Sequence, residues 1–287
     1  MFVLMATVLM FLISASGVLI NIYLFWMFLQ KETSDFTKYC LVKTIPNMMV
    51  CLSFLIWVTP LTAFSIGIDE IPRLLNVLVG QVSGFGAYVA GALIELCMAF
   101  NRWSVIYFPT YDFRHSNHVI LFVFLFSSLY AIMGLVPVSC GFVYDPETFQ
   151  WRPEPTNCAD VLENMILYTI YAISFLSNSL NFTTFVKLFY GRVSGISYDE
   201  KSRRRKKRVR LFIQSVIQNC LHVIDMVNFN FIAPLSPSTW FKFVFNSMSF
   251  LGIHALDGFV MYIFHPEVHP RGRKSSSSVV VISKLTA

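Results

Sequence analysis

The sequence predicts an all-α integral membrane protein, a bundle of seven transmembrane helices with its N-terminus outside and its C-terminus in the cytosol. Three observations carry that reading. The 287 residues are 55% hydrophobic and only 13% charged, with a mean hydropathy of +0.61, whereas soluble domains are nearer a quarter charged. Seven apolar runs each reach the roughly 20 residues needed to cross a hydrocarbon layer about 30 Å thick. Lysine and arginine also gather in alternate loops.

Taken in order, the predicted spans are 3–29, 40–64, 74–101, 118–140, 164–190, 209–233 and 240–264, joined by short polar loops. Residues 1–264 therefore form one bundle, and 265–287 form a flexible cytoplasmic tail. The opening "MFVLMATVLMFLISASG" has the small residues of a signal-peptide cleavage site. It lacks a positive leading region, however, and stays apolar through Phe28 and Leu29, so it is read as the first span. With almost nothing ahead of it, no outer N-terminal domain is expected.

The loops after spans one, three and five, together with the tail, are assigned 19 of the 22 lysines and arginines. The other three are Arg73, Arg152 and Lys242. Cation-rich loops remain cytoplasmic, which sets the orientation. The opposite loops carry Asp69, Glu70, Asp145, Glu147, Glu154, Asp160 and Glu163, giving an acidic outer mouth. Cys40, Cys51, Cys97 and Cys220 fall inside spans as small hydrophobes. Cys140 and Cys158 flank the loop after the fourth span, on the oxidising side. They are expected to pair, closing a ring worth about 3 kcal/mol in loop entropy; two unlinked thiols are the alternative. The sequon at Asn181 lies within a span, where glycosylation is not expected, and no cysteine follows His265 to take a palmitoyl anchor.

Candidate functional residues follow from polar groups at membrane depth. Arg102 ends the third span with Asn101 and Trp103 beside it. A long arginine there can simply reach headgroups, or it can form a switch with its neighbours. Glu95 lies two turns deeper. An acid in hydrocarbon costs about 2.5–3.5 kcal/mol on insertion scales, so it should face the bundle interior. The sixth span carries His222 and Asp225, the seventh His254 and Asp257. At three-residue spacing each histidine can partner its own aspartate. At 1.5 Å per residue in antiparallel helices both histidines fall near the midplane and the two aspartates ~12 Å apart in depth. Asp257 then lies near the level of Glu95, which predicts a buried polar cluster of Glu95, His222, His254 and Asp257. Packing glue, a conformational switch, and a metal or proton pathway all remain open for it.

"KSRRRKKRVRLF" runs a dense cationic stretch from Lys201 to Arg210 into the sixth span. Attraction to anionic lipid and contact with an acidic partner through Arg203, Arg204, Arg205, Lys206, Lys207 and Arg208 are compatible readings. In the tail, Ser275, Ser276, Ser277 and Ser278 follow "RGRK", and phosphorylation there would invert the local charge. A small-molecule or small-peptide pocket is expected in the outer half, with Gln81, Ser83, Tyr88, Tyr168, Tyr171, Asn228, Asn230 and Asn246 as candidate lining. No nucleophile elbow, P-loop, HExxH or paired CxxC is present, so no enzyme, cofactor or metal site is expected. Seven spans exclude nucleic acid as a partner.

The stretches "AFNRWSVIYFPTY", "CGFVYDPETFQWRPEPTNC", "RVRLFIQSVIQN" and "FLGIHALDGFVMYIFHPEV" resemble the nematode serpentine chemoreceptors of class x (Srx), G-protein-coupled receptors of rhodopsin-like architecture. The resemblance implies a chemosensory receptor in the plasma membrane of a sensory neuron, in its cilium, signalling through a heterotrimeric G protein, with a kinase or arrestin acting on the tail serines. Asn101-Arg102-Trp103 is then similar to the Asp-Arg-Tyr motif, without its acid. Gly258 stands where that architecture has a proline, the sixth span has no Cys-Trp-x-Pro, and the third span has no outer cysteine. A receptor-like chain that never couples, and a proton- or ion-handling bundle built on the His-Asp pairs, are the alternatives.

Overall fold

The computed structural model describes residues 2–31, 34–108, 116–135, 140–190 and 198–265. Seven long helices enclose one core: α1 (Phe2–Leu29), α2 (Asp35–Ala63), α3 (Arg73–Tyr107), α4 (Ser116–Met133), α5 (Asn157–Tyr190), α6 (Tyr198–Val227, continued by a wide turn over Asn228–Ile232) and α7 (Thr239–Phe264). Six of them are long and apolar enough to cross a membrane. In α6 the cationic stretch from Lys201 to Arg210 dilutes the apolar half that follows.

Local chemistry explains where the helices begin and end. Ser34 caps α2, its Oγ accepting from the Thr37 amide at 3.2 Å, the usual partner for an orphan donor of the first turn. Helix α4 stops at Met133, short of the predicted 140, because Gly134 and Pro137 follow. Helix α6 starts at Tyr198, eleven residues ahead of the predicted 209. Lysine and arginine are good helix formers, so loss of hydropathy does not end the helix there.

Helix α3 is the axis of the bundle. Its apolar window is 72% buried against 28% for α1 and α4, and it packs on α2, α4, α5 and α6. Apolar side chains such as Leu19, Ile56, Phe122 and Phe175 face outward instead, as lipid-facing residues do where the surrounding solvent is hydrocarbon. Gly17 lets α1 approach α2 and α7 closely. A Cβ there would lie 2.5 Å from Cys51 Sγ and 3.1 Å from Ala255 Cβ.

Between α4 and α5 the chain folds into a hairpin of β1 (Phe142–Asp145) and β2 (Gln150–Pro153), with Phe142 opposite Pro153 and Asp145 opposite Gln150. Cys140 and Cys158 are joined by a disulfide at its base. The hairpin turns inward: Tyr144 and Trp151 are buried, and Gly80 of α3 presses on the Phe142 carbonyl, which a Cβ would meet at 2.0 Å. Burial pushes the Tyr144 phenol above its ordinary range, and its hydroxyl shares a 2.7 Å hydrogen bond with Thr62. Glu154 clamps the base, accepting from Arg73 Nε at 2.6 Å and Arg73 Nη2 at 2.7 Å, and from the Gly141 amide at 2.7 Å. Burial raises its pKa, but the Arg73 and Gly141 hydrogen bonds outweigh that and hold the carboxyl below its usual value.

Candidate functional site

Four helices change pitch toward the hairpin end. Phe54–Val58, Gly80–Ala87, Asn228–Ile232 and Val244–Met248 are π-helical turns in α2, α3, α6 and α7. Such turns often mark functional sites because they re-aim side chains. Three of them open onto a cavity of about 670 Å³, counting its mouth. Helix α3 contributes Gly84, Phe85 and Tyr88, and α5 contributes Glu163, Ile166, Leu167 and Ile170. Helix α6 adds Asp225, Met226, Phe229 and Asn230, α7 adds Asn246 and Phe250, and Phe142 and Trp151 of the hairpin form the lid. An aromatic lining with few polar groups fits a small organic ligand.

Below the cavity lies a buried charge cluster. Lys43 of α2 is fully buried, and its Nζ meets Glu95 Oε1 at 2.6 Å, Asp257 Oδ2 at 3.1 Å and the Gly91 carbonyl at 3.0 Å. These partners use all three ammonium protons. Asn47, one turn along, donates to Asp257 Oδ2 at 3.2 Å, and its own Oδ1 lies 2.9 Å from His254 Nδ1. His222 Nδ1 sits 3.1 Å from Glu95 Oε1 and 3.3 Å from the Gln218 carbonyl. The two imidazoles meet edge to face at 6.0 Å, with Tyr88 stacked on His222 at 5.8 Å. The cluster joins α2, α3, α6 and α7.

At the opposite end Arg102 turns into the bundle. It is 8% exposed. Its Nη1 donates to the Leu211 carbonyl at 2.7 Å and its Nη2 to Ser215 Oγ, both on α6. The guanidinium also lies 5.5 Å over the Phe36 ring, a cation–π contact. With no acid beside it, this arginine holds α6 through a carbonyl and a hydroxyl.

The profile of the serpentine seven-transmembrane GPCR chemoreceptors, class Srx, matches residues 11–265. The chain belongs to the Srx family. Among solved structures it is similar to the crystal structure of squid rhodopsin, with a TM-score of 0.75 at 11% identity, over 92% of this chain and 82% of that one. At that identity the likeness establishes the shared seven-helix fold. No curated protein sequence matches the chain. Family and fold are those of a multi-pass membrane receptor rather than an enzyme.

Within this Srx receptor the candidate residues distribute unevenly. Of the expected pocket residues, Tyr88, Asn230 and Asn246 line the cavity. Gln81 is fully buried beside Gly134 and the Phe142 amide, where it fastens α3 to α4 and the hairpin. Ser83 bonds back to the Val79 carbonyl, Tyr168 is exposed on the lipid side, Tyr171 packs on the core, and Asn228 donates to Ser249 at 3.1 Å. Glu95, His222, His254 and Asp257 come together.

Two expectations need correction. Neither histidine hydrogen-bonds the aspartate of its own helix. Asp225 is drawn to Ser249 Oγ at 2.6 Å, and Asp257 to Lys43 and Asn47, because donors on neighbouring helices reach the carboxylates in the buried core. Arg102 does not reach outward, since α6 offers it polar acceptors inside. Asn101 and Trp103 are half-buried, and Trp103 stacks on Tyr107 at 5.3 Å. Lys206 is exposed, whereas the side chains of Arg203, Arg204, Arg205, Lys207 and Arg208 lie outside the described residues, as do Ser275–Ser278.

The residue the sequence reading misses is Lys43, grouped there with loop cations although it sits eight residues inside α2. The available signal was the pair Lys43 and Asn47, one helical turn apart and flanked by apolar residues. Among the described residues no three His, Cys, Asp or Glu side chains converge as a metal site.

Proposed function

We propose that this chain is a chemosensory receptor that takes a small molecule, or a small peptide, in the cavity under the hairpin and activates a heterotrimeric G protein through the far end of α6. One observation carries the reading: a single helix connects both sites. Asp225, Met226, Phe229 and Asn230 of α6 line the cavity, while Leu211 and Ser215 of the same helix are gripped by Arg102. Ser215 and Asp225 are ten residues apart, ~15 Å along the helix axis. A ligand that shifts α6 at the cavity therefore strains the Arg102 contacts. Once these part, Arg102 and the cationic N-terminal part of α6 become available to a G protein. Moving a rare active state from 1:99 to 99:1 requires about 5.5 kcal/mol of differential binding.

The orientation that fits places the hairpin outside and the cationic end of α6 in the cytosol. The disulfide suits an oxidising compartment, and the cation run suits the cytoplasmic leaflet. The setting is the plasma membrane of a chemosensory neuron, in its cilium, with the tail serines as kinase substrates and, once phosphorylated, a docking site for arrestin.

The test uses receptor in nanodiscs with purified G protein, screening small organic molecules by nucleotide exchange. Ligand-dependent exchange that disappears with Arg102→Ala supports coupling. A ligand that binds without accelerating exchange points to a non-coupling partner. A second reading, proton or ion handling, draws on one feature: His222 Nε2, His254 Nε2 and Asp257 Oδ1 are buried without a hydrogen-bond partner among the described residues, and intramembrane ionisable groups can form relays. Flux across vesicles lost with Asp257→Asn would favour it.

A further inference from the structure

We infer that the ligand of the hairpin-end cavity is a small organic cation of the amine class, held by Asp225 within a box of aromatic rings. The inference rests on the receptor reading above and adds the chemical class of its ligand.

The cavity wall carries two carboxylates, Asp225 and Glu163, and no lysine or arginine. Asp225 is 4% exposed. Ser249 Oγ donates to its Oδ1 at 2.6 Å, and the Tyr88 hydroxyl lies against it. Two hydroxyls orient a carboxylate but leave its charge uncompensated, and a buried charge without a counter-charge is costly. Among the described residues no lysine or arginine is paired with it, and His222, one turn away on the same helix, has its Nδ1 turned to Glu95 at 3.1 Å. Lys43 is already held between Glu95 and Asp257, Arg73 by Glu154, and Arg152 by Asp145 at 3.1 Å. The missing positive charge can come from a ligand.

Two further observations point the same way. Asn246, 7% exposed, also stands on the cavity wall. Its side-chain carbonyl oxygen is a second acceptor for an ammonium N–H on the same wall as Asp225. The rings of Tyr88, Trp151 and Phe250 add electron-rich faces to the same wall. Such faces bind ammonium groups well once desolvated. The mouth reinforces the preference. Seven acidic residues, Asp69, Glu70, Asp145, Glu147, Glu154, Asp160 and Glu163, stand at that end against three cations, a field that steers cations inward.

The experiment measures binding to purified receptor in nanodiscs, without G protein, of three probes matched in size: phenethylamine, 2-phenylethanol and phenylacetate. The amine should bind at least about tenfold tighter than the alcohol, equivalent to about 1.4 kcal/mol, and phenylacetate weakest. Asp225→Asn should erase the amine's advantage. Because that variant also disturbs the Ser249 contact, Asn246→Asp is measured beside it and should strengthen amine binding several-fold. Alcohol or acid binding as tightly as the amine overturns the inference, as does absence of amine binding at millimolar concentration or weaker amine binding in Asn246→Asp. Its failure is separable from that of the receptor reading. A neutral activator found in the exchange assay would keep the receptor and discard the cation, while amine binding with no exchange would do the reverse.

Discussion

Lys43→Met is the most informative single substitution. The methionine retains the length and most of the volume of the lysine stem, so packing changes little, but it strips the counter-charge from Glu95 and Asp257. Those carboxylates sit 2.6 and 3.1 Å from Nζ and are almost wholly buried. Removing one partner of a buried ion pair costs about 3–5 kcal/mol, because the remaining charge is left uncompensated. At roughly 2–4 °C per kcal/mol for a chain of this size, the melting temperature should fall on the order of 10 °C. The buried thiols of Cys40 and Cys51 serve as reporters, labelled by a thiol-reactive dye only as the bundle opens. If the loss is electrostatic, Glu95→Gln and Asp257→Asn added to Lys43→Met should restore most of it, and the variants should be strongly non-additive. A Lys43→Met receptor as stable as the parent, or a triple variant whose losses simply add, would refute the account.

Four other outcomes follow from the geometry. Ser215→Ala removes one of the two α6 acceptors of Arg102, a charge-assisted bond of about 1.5–3 kcal/mol, and should raise ligand-free nucleotide exchange severalfold. Gly80→Ala places a Cβ 2.0 Å from the Phe142 carbonyl, so it should displace the lid and abolish cavity binding while the bundle still folds, read by ligand titration beside thermal unfolding. Cys140→Ser with Cys158→Ser should lower stability by about 3 kcal/mol through loop entropy, and dithiothreitol should reproduce the effect in the parent alone. Glu154 supplies a pH dependence: its folded pKa lies below the ordinary 4.5, so its contribution is present above pH 4.5 and is lost as the pH falls through the folded value. Melting temperature should therefore drop in that acid range, and Glu154→Gln should flatten the drop.

Much of the site is legible because lipid makes polar residues conspicuous. Glu95, His222, His254 and Asp257 stand out from apolar runs, and helix rise alone places the two histidines near the midplane and Asp257 near the level of Glu95. Lys43 was less visible. A lysine near the start of a span resembles any loop cation, and only the approach of α3 and α7 turns it into the hub of the cluster. The pocket residues divided for a similar reason. Tyr168 and Tyr88 look equivalent in sequence, but the rotation of α5 sends Tyr168 to lipid while the π-helical turn over Gly80–Ala87 sets Tyr88 facing inward.

By itself the sequence determined the membrane class, the number of helices and which loops carry the cations, because partition between water and hydrocarbon depends on composition along the chain and not on neighbours in space. The tertiary structure decided which carboxylate meets which cation, that Arg102 turns inward to α6, and that Asp225 lines the cavity. Those outcomes depend on helix rotation and on π-helical shifts of a fraction of a turn, which are set by side-chain packing between segments far apart in the chain.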